Sequence, residues 1–468
     1  MEYLYGVADF LSALHYEFLV FALVGLLIGG LDDLLFDIVF LVRAAWRRLF
    51  VYTRHQRMTS ANLPLSARPG TIAVFVPAWK EADVIGAMLG TCLARWEGAD
   101  FRIFVGTYPN DPDTISAVWS VAQRDARVCP VILPHDGGTT KADCLNHIWA
   151  AMLRAEGTQG HRFKAVVLHD AEDVVHADEM RLFDVMIDRF DMVQLPVMPF
   201  LSPRSRWIAG HYADEFAEAH GKHLILREAI GAAVPSAGVG CAFARDSIGA
   251  IAAERGGLPF DADSLTEDYE IGLRIAARKG RTVFVSMRDA EGQLVCTREH
   301  FPETLDAAVR QKARWLTGIA LSGWDRLGWN GSWRERWMRL HDRRTSLSAL
   351  VLFAAYCATI GYGVTLALNA LGWASPPRRP QWLETAFGVT ALLMLWRLGF
   401  RAYWTTQAYG WREGLRAIPR VILCNVIAMI AARRAVAHYI RTLRTGHVVW
   451  EKTAHRFPPE TELHRGHV

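Results

Sequence analysis

The seven cysteines of this 468-residue chain never form a C-x-x-C pair, and they are scattered from Cys92 to Cys424. An odd, unpatterned set excludes a disulfide framework and fits a reducing compartment for the soluble part. Charge of one sign is also scarce. The formal net charge is +4, too little for a nucleic-acid footprint, so no nucleic-acid partner is expected. No internal repeat and no low-complexity segment interrupts the chain. The first strand–helix turn reads PAWKEAD and lacks Gly-x-Gly, which excludes a dinucleotide site of the Rossmann kind. A basic n-region and a small-residue cleavage site are missing from the N-terminus, so it does not read as a secretory signal peptide.

Apolar residues, by contrast, are abundant. The chain is 51% hydrophobic with 17 Trp, rich for a soluble protein. Phe18–Gly30 is uniformly apolar and continues as Leu31–Val42 past Asp32, Asp33 and Asp37. Read as one helix it is long enough to cross a bilayer, with polar residues near one end. The alternative is an amphipathic helix on the membrane surface. Arg43, Arg47, Arg48, Arg54 and Arg57 follow it, and Glu2, Asp9 and Glu17 sit in or before its first part. The positive-inside rule then puts the N-terminus outside and the chain after Arg43 in the cytoplasm. Leu347–Trp373 and Trp382–Tyr403 read as two more spans, joined by the short Pro-rich linker SPPRRPQ. Ile418–Ala432 is short and holds Pro419, Arg420 and Asn425, so it reads as an interfacial or re-entrant helix. The expected organisation is a transmembrane helix (1–46), a cytoplasmic catalytic domain (47–304), interfacial helices (305–346), two spans (347–404) and an interfacial or re-entrant helix with a cytoplasmic tail (405–468).

Between Arg68 and Gly280 short apolar runs alternate with helical ones. Strands are expected at Thr71–Val76, Phe101–Gly106, Val128–Leu133, Ala165–His169 and Asp191–Leu195, and helices at Asp83–Arg95, Ser116–Arg124 and Lys141–Arg154. That alternation predicts an α/β domain with a mostly parallel sheet, whose ligands bind beyond the carboxyl ends of the strands. VPAWKE, TYPND and HDAED fall at three such ends. Asp170, Glu172 and Asp173 crowd one of them. Carboxylates so close need a cation to offset their repulsion, and a hard ion with oxygen ligands, Mg²⁺ or Mn²⁺, suits them. Asp170, Glu172 and Asp173 are the candidate ligands. His169 and His176 flank the cluster, but a third neutral ligand for zinc is missing.

Four signatures occur in order: VPAWKE (Val76–Glu81), HDAED (His169–Asp173), TED (Thr266–Asp268) and QKARW (Gln311–Trp315), with membrane-type sequence after them. The set resembles the processive family 2 glycosyltransferases, which include cellulose and hyaluronan synthases, over roughly Thr71 to Trp324. The resemblance implies a GT-A type nucleotide-sugar transferase domain flanked by transmembrane helices. It assigns Pro77, Glu81, Asp111, Lys141, Asp170, Gln311 and Arg314 to the donor nucleotide. It makes Asp268, beside Glu267, the general base that takes the acceptor's proton. It gives Trp315 to the acceptor sugar. GVGCAF resembles the segment lining the acceptor site, which adds Gly240 and Cys241 as a wall largely without side chains. TED also reads as a helix start with Thr266 as N-cap. Gln311 and Trp315, at i and i+4, share one helical face of an expected helix Leu305–Leu321.

Within that family VPAWKE, DAED, GVGCAF and VVWEKTAHRFPP (Val448–Pro459) resemble the NfrB-type bacterial inner-membrane branch. That likeness implies a UDP-sugar donor, with N-acetylmannosamine units, and a growing exopolysaccharide as acceptor. It also implies an outer-membrane secretion or phage-receptor partner. The regulatory domain that commonly follows in such proteins is not seen after WEKTAHRFPP, which leaves direct control by cyclic di-GMP open. Two alternatives stay open: transfer of a single sugar to polyprenyl phosphate, and an inactive membrane scaffold.

Overall fold

The computed structural model describes residues 2–373, 380–445 and 456–458. Most of the linker SPPRRPQ and most of Val448–Pro459 lie outside the described residues. In chain order, helix α1 (Glu2–Trp46) leads to β1 (Ile72–Pro77), α2 (Ala82–Arg95), β2 (Phe101–Thr107), α3 (Pro112–Ala122), β3 (Val128–Ile132), α4 (Lys141–Gln159) and β4 (Ala165–Leu168). Next come α5 (Glu179–Ile187), β5 (Met192–Gln194), β6 (Val197–Pro199), α6 (Ile208–Glu218), α7 (Leu224–Ala229), β7 (Cys241–Ala244), α8 (Arg245–Glu254), α9 (Glu267–Ala277), β8 (Thr282–Phe284) and β9 (Thr297–Glu299). The remaining described elements are helices: α10 (Leu305–Leu316), α11 (Gly323–Leu327), α12 (Trp333–Arg343), α13 (Thr345–Ala370), α14 (Gln381–Tyr409) and α15 (Trp411–Thr445).

The five expected strands appear within a residue or two of their expected ends. Seven strands form one sheet in the order β3-β2-β1-β4-β7-β5-β8, and β6 pairs with β9 separately. Both faces of the sheet are covered, which is why its central strands read as unbroken apolar runs. In β1, Ile72, Val74 and Val76 pack with α2, α3 and α5, while Ala73 and Phe75 pack with α4 and α8. From β1 the chain winds out to β2 and β3 and then returns to β4 on the other side. That reversal opens a crevice beyond the carboxyl ends of β1 and β4. The segment GVGCAF departs from expectation. Cys241–Ala244 is a buried strand, antiparallel to β4 and to β5, with Val167 opposite Ala242.

Four helices, Gly6–Val51, Thr345–Ala370, Gln381–Tyr409 and Trp411–Thr445, are long and apolar enough to cross a membrane. The last takes in the expected short helix Ile418–Ala432 and is longer than it, because α15 runs unbroken through Pro419. Its Arg420 is buried against Asp214 of α6 (3.2 Å) and Glu413 (2.9 Å), and it packs along α6 and α10. Small residues let the other helices approach: a Cβ on Gly25 of α1 would stand 2.5 Å from Val351 of α13. The acids of α1 serve as anchors. Asp37 takes Lys222 Nζ at 2.5 Å, Lys222 also reaches Glu218 at 2.8 Å, and Arg397 of α14 meets Glu218 at 2.6 Å. Asp32 pairs with Arg344 at 2.6 Å and with His341 at 2.8 Å. These pairs tie α1 and α14 to the end of α6, and α1 to the start of α13.

Candidate active site at the sheet crevice

Residues from seven separated segments line one cleft at the reversal point: Pro77, Trp79, Glu81, Tyr108, Lys141, Asp170, Glu172, Glu267, Asp268, Glu299, Gln311, Arg314 and Trp315 among them. Each arrives on a defined element. Pro77 ends β1. Lys141 opens α4, whose N-cap Thr140 accepts from the Asp143 amide. Asp170 follows β4. Glu267 and Asp268 open α9, and Gln311, Arg314 and Trp315 come from the last turns of α10. A π-turn at Thr317–Ser322 follows directly, ending α10 sooner than the expected Leu321.

Lys141 stands at the centre. Its Nζ lies 2.5 Å from Asp170 Oδ1 and reaches the Gly238 carbonyl at 3.4 Å. Burial alone would lower its pKa, but Asp170 above all, then Glu267 and Asp268, raise it well above the usual range. It remains a cation. Burial, then the neighbouring Asp268, pushes Glu267 up to about 8, with Lys141 opposing. Burial also raises Asp268, again against the pull of Lys141. One Asp268 oxygen, Oδ1, accepts from the Tyr269 amide at 2.7 Å. The other faces Gly238, where φ is +80° and a Cβ would stand 2.3 Å from Oδ2. Glycine there leaves that oxygen room, and it also suits the left-handed backbone.

The pair predicts a pH profile. A base must be unprotonated, so turnover should rise with pH through a raised macroscopic pKa of the Glu267–Asp268 pair, lying between the ordinary carboxylate range and about 8. Nucleotide release measured against pH checks this, and Asp268→Asn should remove the limb.

Several expected site residues are placed elsewhere. Asp111 caps α3 and does not line the cleft; its Oδ2 accepts from the Lys80 amide at 2.6 Å. It thereby braces the turn Trp79–Glu81, where Lys80 has φ +56°. Asp173 is fully buried, taking His169 Nδ1 at 2.8 Å and the Asp170 amide at 3.0 Å. Its Oδ2 is thereby occupied in holding His169 and the Asp170 backbone. Asp170, Glu172 and Asp173 do not form one of the described groups of three whose ligand atoms lie within 4.8 Å. His169 is held between Asp173 and Glu179 Oε1, at 3.0 Å from the latter. Gly240 and Cys241 lie off the cleft, because β7 enters the middle of the sheet. The missing Cβ of Gly240 faces Thr297, and buried Cys241 accepts from Ser236 Oγ at 3.1 Å. Thr266 begins α9 without a side-chain cap; its side chain packs where Gly318 has no Cβ.

Trp79 and Tyr108 went unnoticed in the sequence. Their rings meet edge to face at 5.0 Å in the cleft wall. Their places just past the ends of β1 and β2 were the available signal. Trp315 has a double position, in the cleft and within 6.0 Å of Tyr212 and 6.4 Å of Phe301 by ring centroid. Gln311 Oε1 is buried without a hydrogen-bond partner among the described residues. A buried orphan acceptor beside a cleft suits a ligand's donor.

The lining carries six acids (Glu81, Asp170, Glu172, Glu267, Asp268, Glu299) against Lys141 and Arg314. An anionic diphosphate entering such a cleft needs added positive charge. Asp170 and Glu172 offer the hard oxygen donors that Mg²⁺ or Mn²⁺ prefers. The residues present therefore fit a divalent ion.

Comparison with known proteins agrees with this architecture. The chain is 36% identical over 455 residues to Bacteriophage adsorption protein B of Escherichia coli (strain K12), covering 93% of this chain and 61% of that protein. Bacteriophage N4 adsorption protein B of Escherichia coli O157:H7 matches equally. The chain thus spans about three fifths of the length of these relatives. A mannosyltransferase from Pyrobaculum calidifontis, solved with GDP-Man and Mn²⁺, is similar at 15% identity and a TM-score of 0.49, over 92% of this chain and 99% of that one. The model of Glycosyltransferase like family 2 matches residues 69–318, more than half of the chain. With that match and a mostly parallel sheet whose cleft opens at its reversal point, the chain belongs to glycosyltransferase family 2.

Proposed function

We propose that the protein is a membrane-bound, metal-dependent, inverting glycosyltransferase that moves a sugar from a UDP-sugar onto a growing bacterial exopolysaccharide. The observation that carries this is the meeting of Asp170, Lys141, Asp268, Arg314 and Trp315 in one cleft. Pro77, Glu81, Gln311 and Arg314 bind the nucleotide and its diphosphate, Arg314 through paired N–H donors. A divalent ion held by Asp170 and Glu172 would offset the charge that develops on the leaving diphosphate. The acceptor hydroxyl attacks the anomeric carbon as the bond from that carbon to the diphosphate oxygen breaks. Its proton passes to Asp268 Oδ2, and UDP departs. One displacement with one base inverts the anomeric centre.

The basic residues after α1 support a cytoplasmic cleft and a multi-pass protein of the inner membrane. Relatives named for bacteriophage adsorption support a product displayed at the cell surface, and with it an outer-membrane partner. UDP-N-acetylmannosamine is the donor this branch suggests.

Asp170→Ala should weaken divalent ion and nucleotide together, because carboxylate, cation and diphosphate act as a linked set. Calorimetry with UDP and Mn²⁺ on both proteins checks it; equal affinities would remove Asp170 from the role. The polymer reading is tested at Trp315. Trp315→Ala should keep donor binding and slow hydrolysis of the UDP-sugar yet make little or no polymer. Normal-length polymer from a folded variant favours single transfer instead.

A further inference from the structure

We propose that His135, Asp143 and His147 bind a transition-metal ion of the zinc class, at a site apart from the carboxylates of the donor cleft. Asp143 and His147 stand one turn apart on α4, and His135 lies in the loop that returns from β3. The two Nε2 atoms are 3.3 Å apart, and His135 Nε2 is 3.4 Å from Asp143 Oδ2. Zinc bonds of about 2.0–2.2 Å at a tetrahedral angle put neighbouring ligand atoms about 3.3–3.5 Å apart. All three ligand atoms fall within 4.8 Å of one another.

The hydrogen bonding points the same way. His135 Nδ1 lies 3.1 Å from the Asp136 carbonyl oxygen, which can only accept. The ring proton therefore sits on Nδ1, and a neutral His135 turns the bare lone pair of Nε2 toward the cluster. It meets Asp143 Oδ2, an oxygen closed off from solvent that accepts no hydrogen bond among the described residues. A metal cation between them would be met by His135 Nε2, His147 Nε2 and Asp143 Oδ2 together. Two imidazoles and one carboxylate select a first-row transition ion over Mg²⁺. Each side chain is partly exposed, so an ion can enter and water can complete the shell.

The location gives the site a consequence. The loop that it would pin holds Gly137, whose backbone is hydrogen-bonded to Asn110, and Thr139, whose hydroxyl meets Tyr108 at 2.9 Å. A Cβ on Gly137 would strike the Trp79 ring at 2.2 Å. Trp79, Tyr108, Thr140 and Lys141 all line the donor cleft. Metal at this site would fasten one wall of that cleft to α4.

The test uses the full chain, prepared without a histidine tag, stripped with EDTA and titrated with Co²⁺. The expected result is one equivalent of Co²⁺ with the visible bands of a tetrahedral ion, bleached by Zn²⁺. Zn²⁺ should also raise the thermal midpoint. His147→Gln and Asp143→Asn should each lose the bands and the shift, while Asp170→Ala keeps both. Wild-type spectra no stronger than those of the two variants would overturn the proposal and leave a plain His–His hydrogen bond. Bands lost in Asp170→Ala but kept in His147→Gln would overturn it too, by placing the ion in the donor cleft.

Discussion

Asp268→Asn should lower sugar transfer by about 10²–10⁴-fold while donor affinity stays within a few-fold. The amide keeps the size of the carboxylate and its contact with the Tyr269 amide. It cannot take a proton from the acceptor. Gly238 has no Cβ to crowd Oδ2, so the variant keeps the space the carboxylate occupies without moving α9. Steady-state nucleotide release and calorimetric donor binding, measured on one preparation, separate the two effects. A variant with more than half of wild-type turnover would exclude Asp268 as the base. Glu267 would then be the nearest carboxylate to examine, since it shares the cleft and the shifted titration.

The second large effect is on stability. Lys222→Met should cost about 3–5 kcal/mol, because removing one partner leaves a buried charge uncompensated. Lys222 and Asp37 are both fully buried, and Lys222 is the only cation that the described ion pairs give Asp37. Glu218 keeps Arg397 and suffers less. Adding Asp37→Asn should recover part of the loss, so the double variant should be more stable than the single one. Thermal unfolding in detergent reads both. If Lys222→Met unfolds at the wild-type temperature, the cluster does not hold α1 and α14 to the transferase domain.

The sheet was legible because parallel strands buried on both faces must be apolar along their whole length, as Ile72–Val76 and Ala165–Leu168 are. Strand ends then located most of the cleft without side-chain detail. Local sequence could not show which acid at a strand end points in. Asp170 faces the cleft, whereas Asp173 turns back to His169 and Asp111 to the Lys80 amide. Those choices depend on hydrogen-bond partners in the fold. Cys241–Ala244 is too short to announce a strand, and its glycine-rich lead-in suggested a bare wall. Pro419 and Arg420 make Ile418–Ala432 read as a short helix, whereas α15 runs on from Trp411 to Thr445. The partner that makes Arg420 tolerable there, Asp214, lies some two hundred residues earlier.

The central claim is turnover of a nucleotide sugar in the cleft that holds Asp170, Lys141, Asp268 and Arg314. Purified protein, incubated with a panel of UDP-sugars and Mn²⁺ or Mg²⁺, measures it directly. The predicted result is release of UDP from at least one donor, dependent on the divalent ion and lost in Asp268→Asn. No UDP release from any donor by folded, membrane-inserted protein would contradict the account and favour an inactive scaffold.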